Sequence, residues 1–155
     1  MGTDYLVQCR AIEQLKYRYM RAVDTRDWDL LTSTLDPDVT AVYGKRLTFD
    51  NRDELVAMLS KTMDSTKITV HQLHQPEITI DGDTATGTWA LMDRVIRKTE
   101  RTMLEGAAIY TDEYRRDADG RWLISRTTYE RLYEAEFSLD DLPSFTLTAD
   151  RFAAI

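Results

Sequence analysis

Two ionisable side chains, His71 and Asp93, stand in strand faces that are otherwise apolar, and this is the clearest chemical signal in the chain. They lie in VHQLHQPEITIDGDTATGTWALMDR, Val70 to Arg94. A strand from His71 to the Asp81-Gly82 turn is followed there by one carrying Ala85, Gly87, Trp89, Leu91, Asp93 and Val95 on one face. A carboxylate closing such a row faces a core or a cavity, and burying it unpartnered costs roughly several kcal/mol or forces a pKa shift. It either does chemistry, or is paired with a neighbouring arginine, or sits at the strand's wet end, and the alternation alone leaves all three open. An imidazole can take a proton from an acidified carbon at neutral pH, and a carboxylate on its other nitrogen fixes the tautomer and steadies the imidazolium. Such a base contributes a factor of about 10²–10⁴. Taken alone, His71 also reads as a satisfied core histidine. His74, three residues on, points to the opposite face unless Pro76 introduces a bulge, and reads as structural.

The elements that must hold these groups fall into two halves. From Tyr5 to Val23, Leu6, Cys9, Ile12, Leu15, Tyr19 and Ala22 recur every three or four positions, the spacing of one helix stripe. Asp27 reads as the N-cap of a short second helix that stops before Asp36-Pro37, Val39 to Tyr43 as a short strand, and Asn51 as the cap of a third helix with an acidic first turn. The period then changes. Lys67 to Ile80, Thr84 to Arg97, Met103 to Arg116 and Arg121 to Tyr133 are rich in Val, Ile, Thr, Tyr and Trp, with hairpin signals at Asp81-Gly82 and Asp119-Gly120. Helices followed by a curved antiparallel sheet give an α+β layer enclosing a cone-shaped cavity, with bends expected at Pro76, Gly87 and Gly106. Leu142, Pro143, Phe145, Leu147 and Phe152 in the tail from Ser138 to Ile155 suit packing on a partner subunit or over a pocket mouth, or a loosely docked terminus.

Composition bounds the partners. With 155 residues, 43% hydrophobic and 30% charged, one domain is expected over 1–155, its core at about 5–137 and a tail at 138–155. Twenty Lys and Arg against 27 Asp and Glu leave a net charge of -7, which repels a phosphate backbone, so no nucleic-acid partner is expected. The lone Cys9 cannot form an internal disulfide, no apolar run approaches the roughly 18 residues of a membrane span, and MGTDYLVQ lacks a signal peptide's regions. A cytoplasmic protein without a membrane partner is the expectation. His71 and His74 point apart with no further His or Cys to complete a set, so no metal is expected. No glycine-rich turn between strand and helix offers a cofactor phosphate a seat, so no cofactor is expected either.

The segments AIEQLKYRYMRAVDTRDWDLL, VHQLHQPEITIDGDTATGTWALMDR, AAIYTDEYRRDADGRW and TTYERLYEAEF resemble SnoaL-like members of the nuclear-transport-factor-2-like superfamily. The resemblance spans about Ala11 to Phe137. Within the superfamily it is closest to the bile acid 7α-dehydratases, with scytalone dehydratase a more distant relative. It implies a cone-shaped α+β barrel with three N-terminal helices packed on a strongly curved, mixed but mostly antiparallel sheet. Carried over residue by residue, it implies a catalytic set of Tyr19, Asp24, His71, Asp93 and Arg131, with Tyr43, Trp89 and Tyr129 against the substrate. It further implies a cofactor-independent hydro-lyase acting on a hydroxylated cyclic carbonyl compound of the steroid or polycyclic class, carried on a coenzyme A thioester or free, and a homodimer or homotrimer. In this reading His71 is the base, Asp24 orients it and balances its charge, Tyr19 and Asp93 bind or protonate the departing hydroxyl, with Tyr19 alternatively a donor to a carbonyl oxygen, and Arg131 holds Asp93 or the substrate. A ketosteroid-type isomerase and a non-catalytic small-molecule carrier are the alternatives. The turn after Val95 is shorter than in the bile acid enzymes and Gly106-Ala107 poorer in glycine, departures that bear on substrate more than on chemistry.

Overall fold

Two side-chain caps set the helical layer. Asp27 accepts a hydrogen bond from the backbone N–H of Leu30 and opens α2 (Trp28–Thr34), and Asn51 does the same for Glu54 and opens α3 (Arg52–Thr62). The first helix, α1 (Thr3–Thr25), ends where Arg26 turns to a positive φ of 58° and Asp27 N–H donates back to Ala22 O. The computed structural model describes residues 3–44 and 47–153. The first two residues of the chain and the last two of the expected tail lie outside the described residues.

The strands are β1 (Leu35–Tyr43), β2 (Leu47–Phe49), β3 (Lys67–Asp81), β4 (Thr84–Arg97), β5 (Thr102–Arg116) and β6 (Trp122–Ser138), in the sheet order β2-β1-β6-β5-β4-β3. Only β1 with β6 is parallel, so the sheet is mixed and mostly antiparallel as expected. Its inner face carries the helices, α1 across β3 and β6 and α3 against β1, and the sheet curls around them without closing. The buried core joins Ile12, Leu15 and Val23 of α1 to Leu31, Leu55, Leu91 and Ile124. No helix among the described residues is long and apolar enough to cross a membrane.

Several expectations change in detail. The first strand starts at Leu35, directly after α2, and tolerates Pro37 because its pairing with β6 shifts between Leu35 and Thr40. The helix stripe is buried only from Ile12 on; Leu6 is 60% exposed. Pro76 does sit at a bulge, between His74 and Glu77, with Gln75 at a φ of 48°. Gly87 and Gly106 are themselves in register with both neighbouring strands, with a shift in the β5–β6 pairing just after Gly106, between Ala107 and Ala108. The sheet's other irregularities lie in β6, where an extra residue falls near Ser125 and another at Leu132. The second reverses the strand's faces: Arg131 points inward, whereas Tyr133, which strict alternation would put on the same face, points out and is 48% exposed. The tail folds onto its own chain through buried Leu139, the Lys98–Asp150 ion pair and Phe152 stacked 3.3 Å from the Arg26 guanidinium, and none of its described residues lines the cavity.

Candidate active site

A cavity of about 360 Å³ lies between α1, α3 and the inner sheet face. That is within the range of small-molecule sites, about 300–1,000 Å³. Apolar side chains, among them Met20, Val23, Leu59, Leu91 and Leu104, make most of its wall, and Tyr19, Tyr43, His71, Asp93, Tyr129 and Arg131 supply its polar groups.

His71 enters from β3. Its neighbour on the same strand face, two residues earlier, is Thr69, and both engage one carboxylate at the end of α1. Asp24 Oδ1 accepts from Thr69 Oγ1 at 2.8 Å and meets His71 Nδ1 at 2.6 Å, while Oδ2 accepts from the His71 backbone N–H at 2.8 Å. An acid in the last turn opposes the helix dipole, and α1 has no basic residue there to offset it. The three contacts supply that compensation instead. Asp24 does not itself line the cavity: it stands behind the imidazole, in an outer groove shared with Tyr17 and Arg21. With Nδ1 tied to Asp24, Nε2 is the ring nitrogen free to work on the cavity side.

Asp93 is the cross-strand partner of His71, so the two side chains leave the sheet side by side on one face. Arg131 reaches Asp93 from β6, across β5, in a bidentate pair with Nη1–Oδ1 at 2.5 Å and Nη2–Oδ2 at 2.8 Å. The pairing pushes the guanidinium's pKa up. Gly106 is what makes the reach possible. A Cβ there would stand 2.6 Å from Arg131 Nη1 and 3.0 Å from Asp93 Oδ1. The arginine pairing and the placement in a cavity, alternatives at the level of sequence, therefore hold together.

The third polar group is a pair of phenols. Tyr19 and Tyr43 share a hydrogen bond of 2.5 Å between their hydroxyls, and Tyr43 stacks on Tyr129 at 5.4 Å. Burial pushes the pKa of both hydroxyls well above the ordinary tyrosine value, so each stays a neutral hydrogen-bond donor.

Trp89 is the one expected substrate contact that the structure removes. It is 1% exposed, donates its indole N–H to Tyr114 OH at 2.9 Å in the core and does not line the cavity. Gly87 leaves room for that pair as Gly106 does for the ionic one. Sequence reasoning missed Thr69, whose signal was its place two residues before His71 on the same face. It also missed Tyr110 on the cavity wall and, beneath it, the buried Lys16 and Asp112. Among the described residues no three His, Cys, Asp or Glu side chains converge as a metal site would require.

A model of the SnoaL-like domain family matches residues 4–128. The chain belongs to the SnoaL-like domain family. Solved structures agree on the fold. An assigned scytalone dehydratase from Novosphingobium aromaticivorans superposes with a TM-score of 0.81 at 20% identity, over 88% of this chain and 92% of that one. A type 2 hexachlorocyclohexane dehydrochlorinase, LinA, gives 0.80 at 20% identity, over 87% and 92%. ActVI-ORFA from Streptomyces coelicolor gives 0.69 at 15% identity, over 81% and 97%. This SnoaL-like chain thus has the helix-on-curved-sheet architecture of that family, with a polar cluster set in an apolar hollow.

Proposed function

We propose that the protein is a cofactor-independent carbon–oxygen lyase that eliminates water from a hydroxylated cyclic carbonyl compound of the steroid or polycyclic class. The observation that carries this reading is the 2.6 Å contact between Asp24 Oδ1 and His71 Nδ1 behind a cavity that His71 itself lines. In the proposed step His71 Nε2 takes a proton from the carbon beside the carbonyl. The C–H electrons move toward the carbonyl oxygen, and the Tyr19–Tyr43 pair donates to that oxygen. As the charge returns, the new C=C bond forms and the C–O bond breaks. The imidazolium then passes its proton to the departing hydroxyl, which leaves as water and restores the dyad. Asp93, both of whose oxygens accept from Arg131, serves as an acceptor that orients the hydroxyl and does not protonate it. Mostly apolar walls strengthen each of these hydrogen bonds.

Two structural relatives are by name a dehydratase and a dehydrochlorinase, which supports elimination over a ketosteroid-type isomerisation. The His71–Asp24 pair at the cavity wall likewise supports catalysis over carriage. The outer sheet face, with Val70 at 46% and Met92 at 51% exposure, supports the expected dimer or trimer. The test is incubation with hydroxylated 3-oxo steroids, their coenzyme A thioesters and small cyclic polyketides, followed by mass analysis. Loss of one water is expected. An unchanged mass with a moved double bond would establish the isomerase, and a ligand recovered intact from every incubation would establish the carrier.

A further inference from the structure

Beneath the phenols lies a second ion pair that the proposed step does not use. Lys16 and Asp112 are both 0% exposed, with Nζ 2.7 Å from Oδ2. Asp112 Oδ2 also accepts from Tyr114 OH at 2.9 Å, and Tyr114 OH in turn accepts from the Trp89 indole. The ammonium rests over the ring of Tyr110 at 3.8 Å and over that of Tyr19 at 4.7 Å. Chain periodicity explains the juxtaposition. Lys16 precedes Tyr19 by three residues on α1 and Asp112 follows Tyr110 by two on β5, so whatever turns the phenols inward turns the pair inward as well.

Stability is a poor reason for such a pair. Desolvating each ion is costly, and an apolar pair of similar volume is commonly neutral or more stable. Burial lowers the pKa of Lys16, and the adjoining Asp112 opposes that by holding the proton on the amine. Burial pushes the Tyr19 phenol up, and Asp112 adds to that push. The ammonium acts the other way, because it lies against the ring face, where its attraction grows as the phenol oxygen becomes more negative.

We infer that Lys16, locked in place by Asp112, is a positioning residue for the Tyr19–Tyr43 hydroxyl pair: it holds the rings of Tyr19 and Tyr110 and strengthens Tyr19 as a donor to developing negative charge. The effect on the phenol stands on geometry alone; its use against a substrate oxygen rests on the elimination proposed above.

The experiment places 3,5-difluorotyrosine at position 19 of the full chain and follows its titration by fluorine NMR, in wild type, K16M/D112L, K16Q/D112N and K16R. In both uncharged pairs the phenol is expected to titrate about one pH unit higher or more, a tenfold loss of acidity. In K16R, which keeps the cation, it is expected near wild type. K16Q/D112N, which retains a hydrogen-bonding pair, gives the same reading should the apolar pair fail to fold. An unchanged or lowered titration in a folded uncharged pair overturns the proposal, as does a K16R shift as large as theirs. With a substrate in hand, kcat in K16M/D112L should fall about 30-fold at nearly constant KM, the equivalent of roughly 2 kcal/mol for a desolvated cation over an aromatic ring. Failure to find any eliminated product would count against the lyase and leave the fluorotyrosine result standing.

Discussion

His71 and Asp93 sit opposite one another on β3 and β4, and each is gripped by a partner, but the two pairs differ in what they can exchange. Asp24 comes from a helix, is fixed by a hydroxyl and a backbone N–H, and leaves its imidazole one free nitrogen. Arg131 comes from a strand, takes both oxygens of Asp93 and leaves neither group a proton to trade. The first pair is built to change charge and the second to keep it. Placing them side by side divides the cavity into a reactive edge and a fixed edge, a division that substitutions can test.

Replacing His71 by Ala should cost activity by a factor of about 10²–10⁴ while circular dichroism and the melting temperature stay near wild type. Wild-type turnover in that variant would remove the base. Arg131→Met reverses the pattern: it strands a carboxylate 3% exposed, and a loss of about 3–5 kcal/mol in denaturant unfolding is expected, most of it recovered in Arg131→Met/Asp93→Leu. The phenols make the intermediate case. Because burial raises the pKa of Tyr19 and Tyr43, their stabilising contribution is intact below the unfolded value of about 10 and is lost as pH climbs above it. The urea midpoint should therefore fall above about pH 10, and fall less steeply in Tyr43→Phe. The smallest effect belongs to Thr69→Val, which deletes one hydrogen bond to Asp24 at about 0.5–1.5 kcal/mol and should lower kcat more than it lowers stability.

Much of this layout is legible in the chain. The caps at Asp27 and Asn51 and the turns at Asp81-Gly82 and Asp119-Gly120 are local chemistry, and each marks an element that forms. The five residues of the expected catalytic set come together in two pairs and a phenol, because four of them line one cavity and the fifth backs His71. What stays hidden depends on partners distant in sequence. Lys16 looks like the polar side of a helix until Asp112, from β5, meets it. Trp89 shares its strand face with Asp93 yet lies too deep, because the cavity ends before it. Gly106 reads as a bend, and nothing local reveals that its missing side chain is also space for two charged ones. No periodicity announces the extra residue at Leu132.

That extra residue decides the character of the doorway. With strict alternation past Arg131, Tyr133, Ala135 and Phe137 would turn toward the mouth; as built, Glu134 lines it, beside Arg131, and Arg97 at the rim holds Glu136. An oily guest must therefore cross a hydrated, ionic threshold before it reaches dry walls, and its rate of entry should respond to added salt even though the interior does not.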